Sequence, residues 1–317
     1  MRYILRKLLL LVPVLFIVTF LTFILIHLLP GSPCISILKT NATPANLAKC
    51  THQLHLDRPI PVQYVDWLRG SFTGHLGQSY LNDEPVSTVL AQSIPVTLEL
   101  LIFSQIMAVV MAVPLGILSA YRANTRIDRV ATTAAFGTLS IPDYVRGVVF
   151  VFLFAVTIHA FPATGYTHIT DDFVQNLRSV FLPSLALALG SIALYHRVLR
   201  ADMIATLQED FITMARAKGL PTWWILVRHA FRPSTFSLVT IGGLNVGALI
   251  GGTFILEYLF AIPGIGFNTV NAILQQDYLV VQGAVLIVTV GYVMVNFFLD
   301  LAYPLLDPRV RHARAAA

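Results

Sequence analysis

Charge is scarce in this sequence. Only 12% of its 317 residues are Asp, Glu, Lys or Arg, whereas 56% are hydrophobic and the mean hydropathy is +0.74. A water-soluble domain of this length would not tolerate that balance. No Gly-Lys pair occurs in the chain. The phosphate loop G-x-x-x-x-G-K-[ST] is therefore excluded, and with it that route to nucleotide binding. The nine histidines form no ligand cluster. His52 and His55 are neighbours but would need further ligands from elsewhere, so no metal is assigned. No Ser-His-Asp set and no paired carboxylates converge on an identifiable pocket. The net charge of +5 is not a nucleic-acid signal, because the basic residues are confined to particular loops.

What the sequence does have is long apolar runs from end to end. They predict an all-α integral membrane protein of about six transmembrane helices, with no soluble enzyme attached. The spans are read as Leu8 to Leu29, Val96 to Tyr121, a region from about Val130 to Phe161, Val180 to His196, Thr235 to Leu256, and Tyr278 to Tyr303. The first run resembles a signal peptide, but it is too long for an h-region and Pro30-Gly31-Ser32-Pro33 offers no cleavage pattern, so it is expected to be retained. The third region is interrupted by Ile141-Pro142-Asp143. Pro142 lacks an N–H and biases Ile141 away from helix. Either a kinked helix crosses there, or a short interfacial helix precedes a span from about Val145.

Lys and Arg set the orientation. With the N-terminus inside, the inner segments hold Arg2, Arg6, Lys7, Arg122, Arg126, Arg129, Arg197, Arg200, Arg216, Lys218, Arg228, Arg232, Arg309, Arg311 and Arg314. The outer ones hold Lys39, Lys49, Arg58, Arg69 and Arg178, and the outer loop from Glu257 to Asp277 has none. Both termini are therefore expected in the cytoplasm. The organisation is residues 1–30 (N-terminal residues and first helix), 31–95 (an outer segment long enough for a small cap) and 96–317 (a five-helix core). That core carries an inner loop at 197–233.

The inner loop is the most informative stretch. Asp210 to Leu220 reads as a short amphipathic helix: Asp210 suits the N-cap, Gly219 suits the left-handed residue after the last turn, and Pro221 prevents continuation. Phe211, Met214 and Ala215 fall on one face at helical spacing. Arg216 and Lys218 oppose the negative end of the helix dipole. Small residues at Ala215, Ala217 and Gly219 would let a partner approach the backbone. Trp223 and Trp224 suit a membrane-water interface. By itself such a stretch is a surface connector or a docking helix.

These residues resemble the inner-membrane components of binding-protein-dependent ABC transporters. That family carries an inner loop of the form E-A-A-x-x-x-G, followed by a hydrophobic stretch and often a proline. Thr213 to Gly219 aligns with it, and Arg228-His229-Ala230-Phe231-Arg232-Pro233 follows. Thr213 stands at the Glu position and Met214 at the first Ala. Ala215 to Leu220 match the A-R-A-K-G-L form of the dipeptide, oligopeptide and nickel branch. Further similarities run along nearly the whole chain: the opening Arg2 to Lys7 with Leu28-Leu29-Pro30-Gly31, Leu56-Asp57-Arg58-Pro59, Gln63-Tyr64, Gly74 to Ser79, Glu257 to Phe260, Pro263 to Gly266, Asp300 to Tyr303 and Leu306-Asp307-Pro308-Arg309.

The resemblance implies a type I ABC importer permease fold with an extracytoplasmic cap, in the inner membrane of a prokaryote. It also implies a non-enzymatic subunit that docks on separate ATPases through Asp210, Phe211, Met214, Ala215, Arg216, Ala217, Lys218, Gly219 and Leu220. The implied partners are a second, related permease, two ATP-binding subunits carrying ATP and Mg, an extracytoplasmic solute-binding protein and membrane lipid, with no nucleic acid. This chain itself binds no cofactor in that scheme. Short peptides are the implied substrate, with nickel, glutathione, sugars or another small solute as alternatives.

Other residues bear on packing. Gly243, Gly247 and Gly251 share one helix face, which favours close packing and also suits a pore- or subunit-facing role. Asp143 and Arg146 are one turn apart and read as a local ion pair near the inner interface, with a functional role as the alternative. Glu99 and Asp300 read as interfacial or buried hydrogen-bonding groups. Cys34 and Cys50, both outside, suggest a disulfide over two free thiols. Two rivals belong to other classes. A self-sufficient secondary transporter would show repeat symmetry, buried charges or broken helices near the midplane, and neither is clear in the sequence. An intramembrane enzyme would need catalytic residues deep in two spans, and the spans lack them.

Overall fold

The computed structural model describes residues 2–28, 32–38 and 41–306, with side chains at 13–28, 32–35, 37–38 and 41–299. Pro30-Gly31, Lys39, Asp307-Pro308-Arg309, Arg311 and Arg314 lie outside the described residues, as do the side chains of Arg2, Arg6, Lys7 and Asp300. Among the described residues the regular structure is helical, apart from one isolated bridge between Gln78 and Pro85.

The helices in chain order are α1 (Arg2–Leu28), α2 (Pro33–Leu38), α3 (Pro44–Gln53), α4 (Ile60–Phe72), α5 (Val86–Tyr121), α6 (Arg126–Leu139), α7 (Asp143–Phe150), α8 (Phe173–Thr206), α9 (Asp210–Ala217), α10 (Thr222–Trp224), α11 (Phe231–Phe260), α12 (Ile265–Leu274) and α13 (Tyr278–Leu306). Wide π-helical turns continue α7 over Val151–Thr157 and join α10 to α11 over Ile225–Ala230.

Four helical stretches among the described residues are long and apolar enough to cross a membrane: Val86–Tyr121, Phe173–Thr206, Thr222–Phe260 and Tyr278–Leu299. A fifth is formed if α6 and α7, which meet at 102°, act as one broken span. At 27 residues α1 is long enough to be a further one. The expectation of about six spans is consistent with this arrangement, although the ends differ from the sequence reading. The second span begins at Val86, not Val96, because the helix runs through Pro95. Prolines are tolerated inside apolar membrane helices. The fourth extends to Phe173 and Thr206 because Arg178, Arg197 and Arg200 are carried on the helix itself rather than marking its ends. A 34-residue helix rises about 51 Å, well beyond a hydrocarbon core of roughly 30 Å. In the third region, Pro142 starts α7 after the break at Ser140-Ile141.

The chain forms two compact units, Met1–Leu98 with Ile262–Met294 and Glu99–Ala261 with Val295–Ala317. In the first, α4 packs on α1 through Tyr64, which is 2% exposed. Its ring meets Phe16, Phe20 and Phe23 edge-on, and its hydroxyl lies 2.9 Å from Thr19 Oγ1. A disulfide joins Cys34 of α2 to Cys50 of α3. The start of α5 lies close against α13, where a β-carbon on Gly283 would meet Val86 at 2.7 Å. The amide of Ile265 donates to Thr97 Oγ1 at 2.9 Å, and Asn268 donates to Ser93 Oγ at 2.7 Å.

In the second unit α8 is central, packed against α6, α7 and α11. Its buried residues include Leu182, Leu187, Tyr195, Leu199 and Met203. Several polar groups on it and beside it are paired, although the buried Ser184 hydroxyl has no hydrogen-bond partner. Asn176 donates to Glu99 Oε1 at 2.7 Å, and Tyr166 donates to Glu99 Oε2 at 2.6 Å. His196 pairs with Ser119 at 2.9 Å. In an apolar setting an unpaired neutral polar group costs about 1–3 kcal/mol in proteins, so such pairings are favoured.

Candidate functional site

The sequence singles out α9, and the structure shows how its two ends are made. Glu209, not Asp210, holds the N-cap position, with extended backbone and no side-chain capping bond. Asp210 is the first helical residue, where its charge still complements the dipole. At the other end Lys218 is the C-cap and Gly219 adopts φ +75°. The Gly219 amide donates to Arg216 O at 2.9 Å and the Leu220 amide reaches back to Ala215 O at 3.3 Å. This pair of bonds closes a helix through a left-handed residue, and glycine adopts that conformation without the clash that a β-carbon brings. A β-carbon on Gly219 would meet nothing within 4 Å. The requirement there is conformational and not steric.

The faces of α9 differ from the sequence reading. Ile212 (0% exposed) and Ala215 (6%) point inward, into a cluster with Ala108 and Ala112 of α5, Leu199 and Met203 of α8, Ile225, Ala230 and Leu238. Phe211 and Met214 stand outward, 45% and 58% exposed. Residues 211, 212, 214 and 215 are all apolar or small, so spacing alone does not choose between adjacent faces. The larger core contact of Ile212 does. Arg216, Ala217, Lys218 and Gly219 are exposed beside Phe211 and Met214, and Leu220 is half-buried. The outward surface is thus apolar at the start of the helix and cationic at its end. Beyond it, Trp223 and Trp224 meet edge-on, and Arg228 lies 5.9 Å from the Trp224 ring centre.

The glycines of α11 divide. A β-carbon at Gly243 would collide with the Leu299 side chain of α13, which would have to move to admit it. Gly247 is buried. Gly251 is exposed with open space around it. The disulfide closes the connection between α2 and α3, with both cysteines buried.

Asp143 and Arg146 do form an ion pair. Arg146 is 6% exposed and packs against α8 at Gly190, 17 residues after Phe173 and 16 before Thr206, whereas Asp143 is about one-third exposed. Two further polar sets were not foreseen. Arg200 binds Asp128 through Nε and Nη2 at 2.5 and 2.7 Å. Tyr195 donates to Gln105 Oε1 at 2.5 Å, and Asn245 donates to Ser191 Oγ at 2.7 Å and to Tyr195 at 3.1 Å. Polar residues inside apolar runs were the available signal, but their partners are 50 to 90 positions away. Among the described residues no group of His, Cys, Asp and Glu is arranged to hold a metal.

Long apolar helices, a sharply bent helix pair and buried polar pairs define a multi-pass, helical membrane protein. The chain belongs to the family of binding-protein-dependent transport system inner membrane components, whose model matches residues 112–312. A companion model for the N-terminal region of such membrane components matches residues 1–101. The chain is similar to a putative peptide transport system permease protein of Brucella abortus, at 36% identity over 95% of this chain and 96% of the relative. It is 34% identical to a probable peptide ABC transporter permease protein of Sinorhizobium fredii, over 98% and 99% of the two chains. A dipeptide transport system permease protein of Alkalihalophilus pseudofirmus is 31% identical over 98% of this chain and 100% of its own length.

Proposed function

We propose that this chain is one pore-forming subunit of an ATP-driven importer for short peptides. Full-length similarity to peptide permeases supports the substrate class. The shape of α9 supports the drive. A helix of eight residues is riveted to the core by Ile212 and Ala215, closed by Gly219, and leaves Phe211, Met214, Arg216 and Lys218 for another protein. In this reading two ATP-binding subunits, carrying ATP and Mg, grip that surface on this chain and on a second, related permease. Their closure moves the bundles between inward- and outward-open states. A solute-binding protein delivers peptide on the opposite side.

Both termini and α9 are assigned to the cytoplasm, because Lys and Arg crowd that side. The residues from 31 to 95 are assigned to the oxidising side, which suits the disulfide between Cys34 and Cys50. The observations on the side of the second reading, a self-sufficient secondary transporter, are the 102° bend and the Asp143–Arg146 pair with its buried arginine.

One experiment separates them. The chain is reconstituted in proteoliposomes with its partner permease, ATP-binding subunits and binding protein, and labelled dipeptide uptake is followed with and without ATP. The expected result is uptake that requires ATP hydrolysis and vanishes when the ATP-binding subunits are omitted. Uptake by this chain alone, driven by an ion gradient, overturns the proposal. Lys218→Cys should react with an impermeant maleimide only in inside-out vesicles. Reaction from the other side would invert the topology.

A further inference from the structure

The Asp143–Arg146 pair has an unusual seat. It lies at the start of α7, just after the 102° break, and is lodged between two glycines on neighbouring helices. A β-carbon at Gly190 of α8 would come within 3.0 Å of Arg146 Nη2, and one at Gly252 of α11 within 3.3 Å of Asp143 Oδ2. Each glycine makes room for one partner. Arg146 Nη1 donates to the Thr138 carbonyl at 3.0 Å, across the break. Its Nε is buried with no hydrogen-bond partner. The guanidinium therefore keeps unused donor capacity in a place where donors are costly to leave unpaired.

The pair also lines a cavity of about 480 Å³. That volume falls in the range of small-ligand sites, roughly 300–1,000 Å³. Arg197, Ser191 and Asn245 line it too. Two arginines against one aspartate leave the walls with a formal charge of +1, beside a hydroxyl and an amide. Polar groups of α7, α8 and α11 thus line the cavity, and Asn245 connects it through Tyr195 to Gln105 of α5, which lies outside its walls.

Arg146 is buried and Asp143 about one-third exposed, and an ion pair withdrawn from water in this way is a poor stabiliser: apolar residues of similar size often do as well or better. In a membrane such groups usually face a water-filled path and mark where polar cargo passes. We infer that this cavity is a holding station for the transported peptide, in which Arg146 and Arg197 take the free α-carboxylate while Asp143 takes the α-ammonium group. The pair neutralises itself when the station is empty and exchanges internal partners for the two ends of a zwitterion when it is filled. No protonation change is required, because the ligand brings both charges. This inference rests on the peptide-importer reading and names the residues that would handle its cargo.

The test uses the complete reconstituted importer and the labelled dipeptide alanyl-alanine. The double variant Asp143→Leu/Arg146→Met removes both charges together and so leaves no uncompensated ion. It should assemble with the other subunits and retain ATP hydrolysis, while uptake falls at least tenfold and the ATP consumed per peptide rises by the same factor. Arg146→Lys, which keeps the charge but not the fork, should fall between the two. Uptake by the double variant at the wild-type rate overturns the inference and leaves the importer reading intact. Failure of the double variant to assemble would mark the pair as a structural clamp and overturn it as well. Absence of dipeptide uptake by the wild-type importer overturns both readings together.

Discussion

Arg200 of α8 holds Asp128 of α6 through two parallel bonds, Nε to Oδ1 at 2.5 Å and Nη2 to Oδ2 at 2.7 Å. The Asn124 amide also donates to the carboxylate, at 2.8 Å, so the fork ties the turn before α6 as well. Asp128 is 2% exposed. Removing one partner leaves the other charge stranded, which costs roughly 3 kcal/mol for a buried pair. Asp128→Ala should therefore lower the thermal midpoint of the detergent-solubilised protein markedly. Asp128→Asn, which still accepts from Asn124, should cost less. Differential scanning fluorimetry of the two variants gives the order.

Gly219 tests the end of α9. Its φ of +75° strains any residue with a β-carbon by about 1–2 kcal/mol. Open space around it means that size adds little locally. Gly219→Asn should be the mildest change and Gly219→Val the most severe. The reading of α9 as a docking helix predicts that Gly219→Val also loses co-purifying ATP-binding subunits and ATP-dependent uptake.

The same residues show what a sequence can and cannot reveal. Gly219 and Pro221 carry backbone meaning by themselves, so the end of α9 was legible to the residue. The inward face was not, since Phe211, Ile212, Met214 and Ala215 lie on adjacent stripes and only the cluster from α5, α8 and α11 decides between them. The membrane class was legible because charge-free runs have one physical explanation. Span ends were not, because Arg178, Arg197 and Arg200 ride on α8 beyond its apolar centre. The Asp143–Arg146 contact was legible as a one-turn spacing. Its depth depends on Gly190 and Gly252, which are far away in the chain.

The two faces of α9 can be separated by mutation. Ile212→Ala removes a fully buried side chain and should cost about 2–4 kcal/mol, read as a lower thermal midpoint. Met214→Asp, on the outward face, should leave that midpoint within a degree or so of wild type. It should still reduce binding of the ATP-binding subunits in a pull-down.

The disulfide closes a loop between cysteines 16 positions apart. Loop-closure entropy for that length amounts to roughly 3 kcal/mol. Cys34→Ser/Cys50→Ser should fold but should be cleaved faster by limited proteolysis between α2 and α4. Intact protein mass after thiol alkylation, with and without reductant, should differ by two labels.

Asp277 sits buried before α13 and accepts a 2.5 Å hydrogen bond from Ser79. Burial holds its carboxyl above the usual carboxylate range, partly offset by Ser79 and by the amides of Tyr80 and Val280. Ionisation is then less favourable in the folded state than in the unfolded one. The penalty is full above the raised folded pKa and is relieved as pH falls through it. Asp277→Asn should raise the thermal midpoint at pH 8, and the gain should shrink toward pH 4. A midpoint lowered equally at both values would show that the carboxylate is needed in its charged form.

The seat of Ile212 and Ala215 has a mechanical consequence. They touch the same cluster that joins Ala108 and Ala112 of α5 to Leu199 of α8 and Leu238 of α11. Protein interiors are as dense as organic crystals and yield little to compression. A push on the outer surface of α9 is therefore handed to three long helices within one side chain's depth, with no loop in between to absorb the stroke.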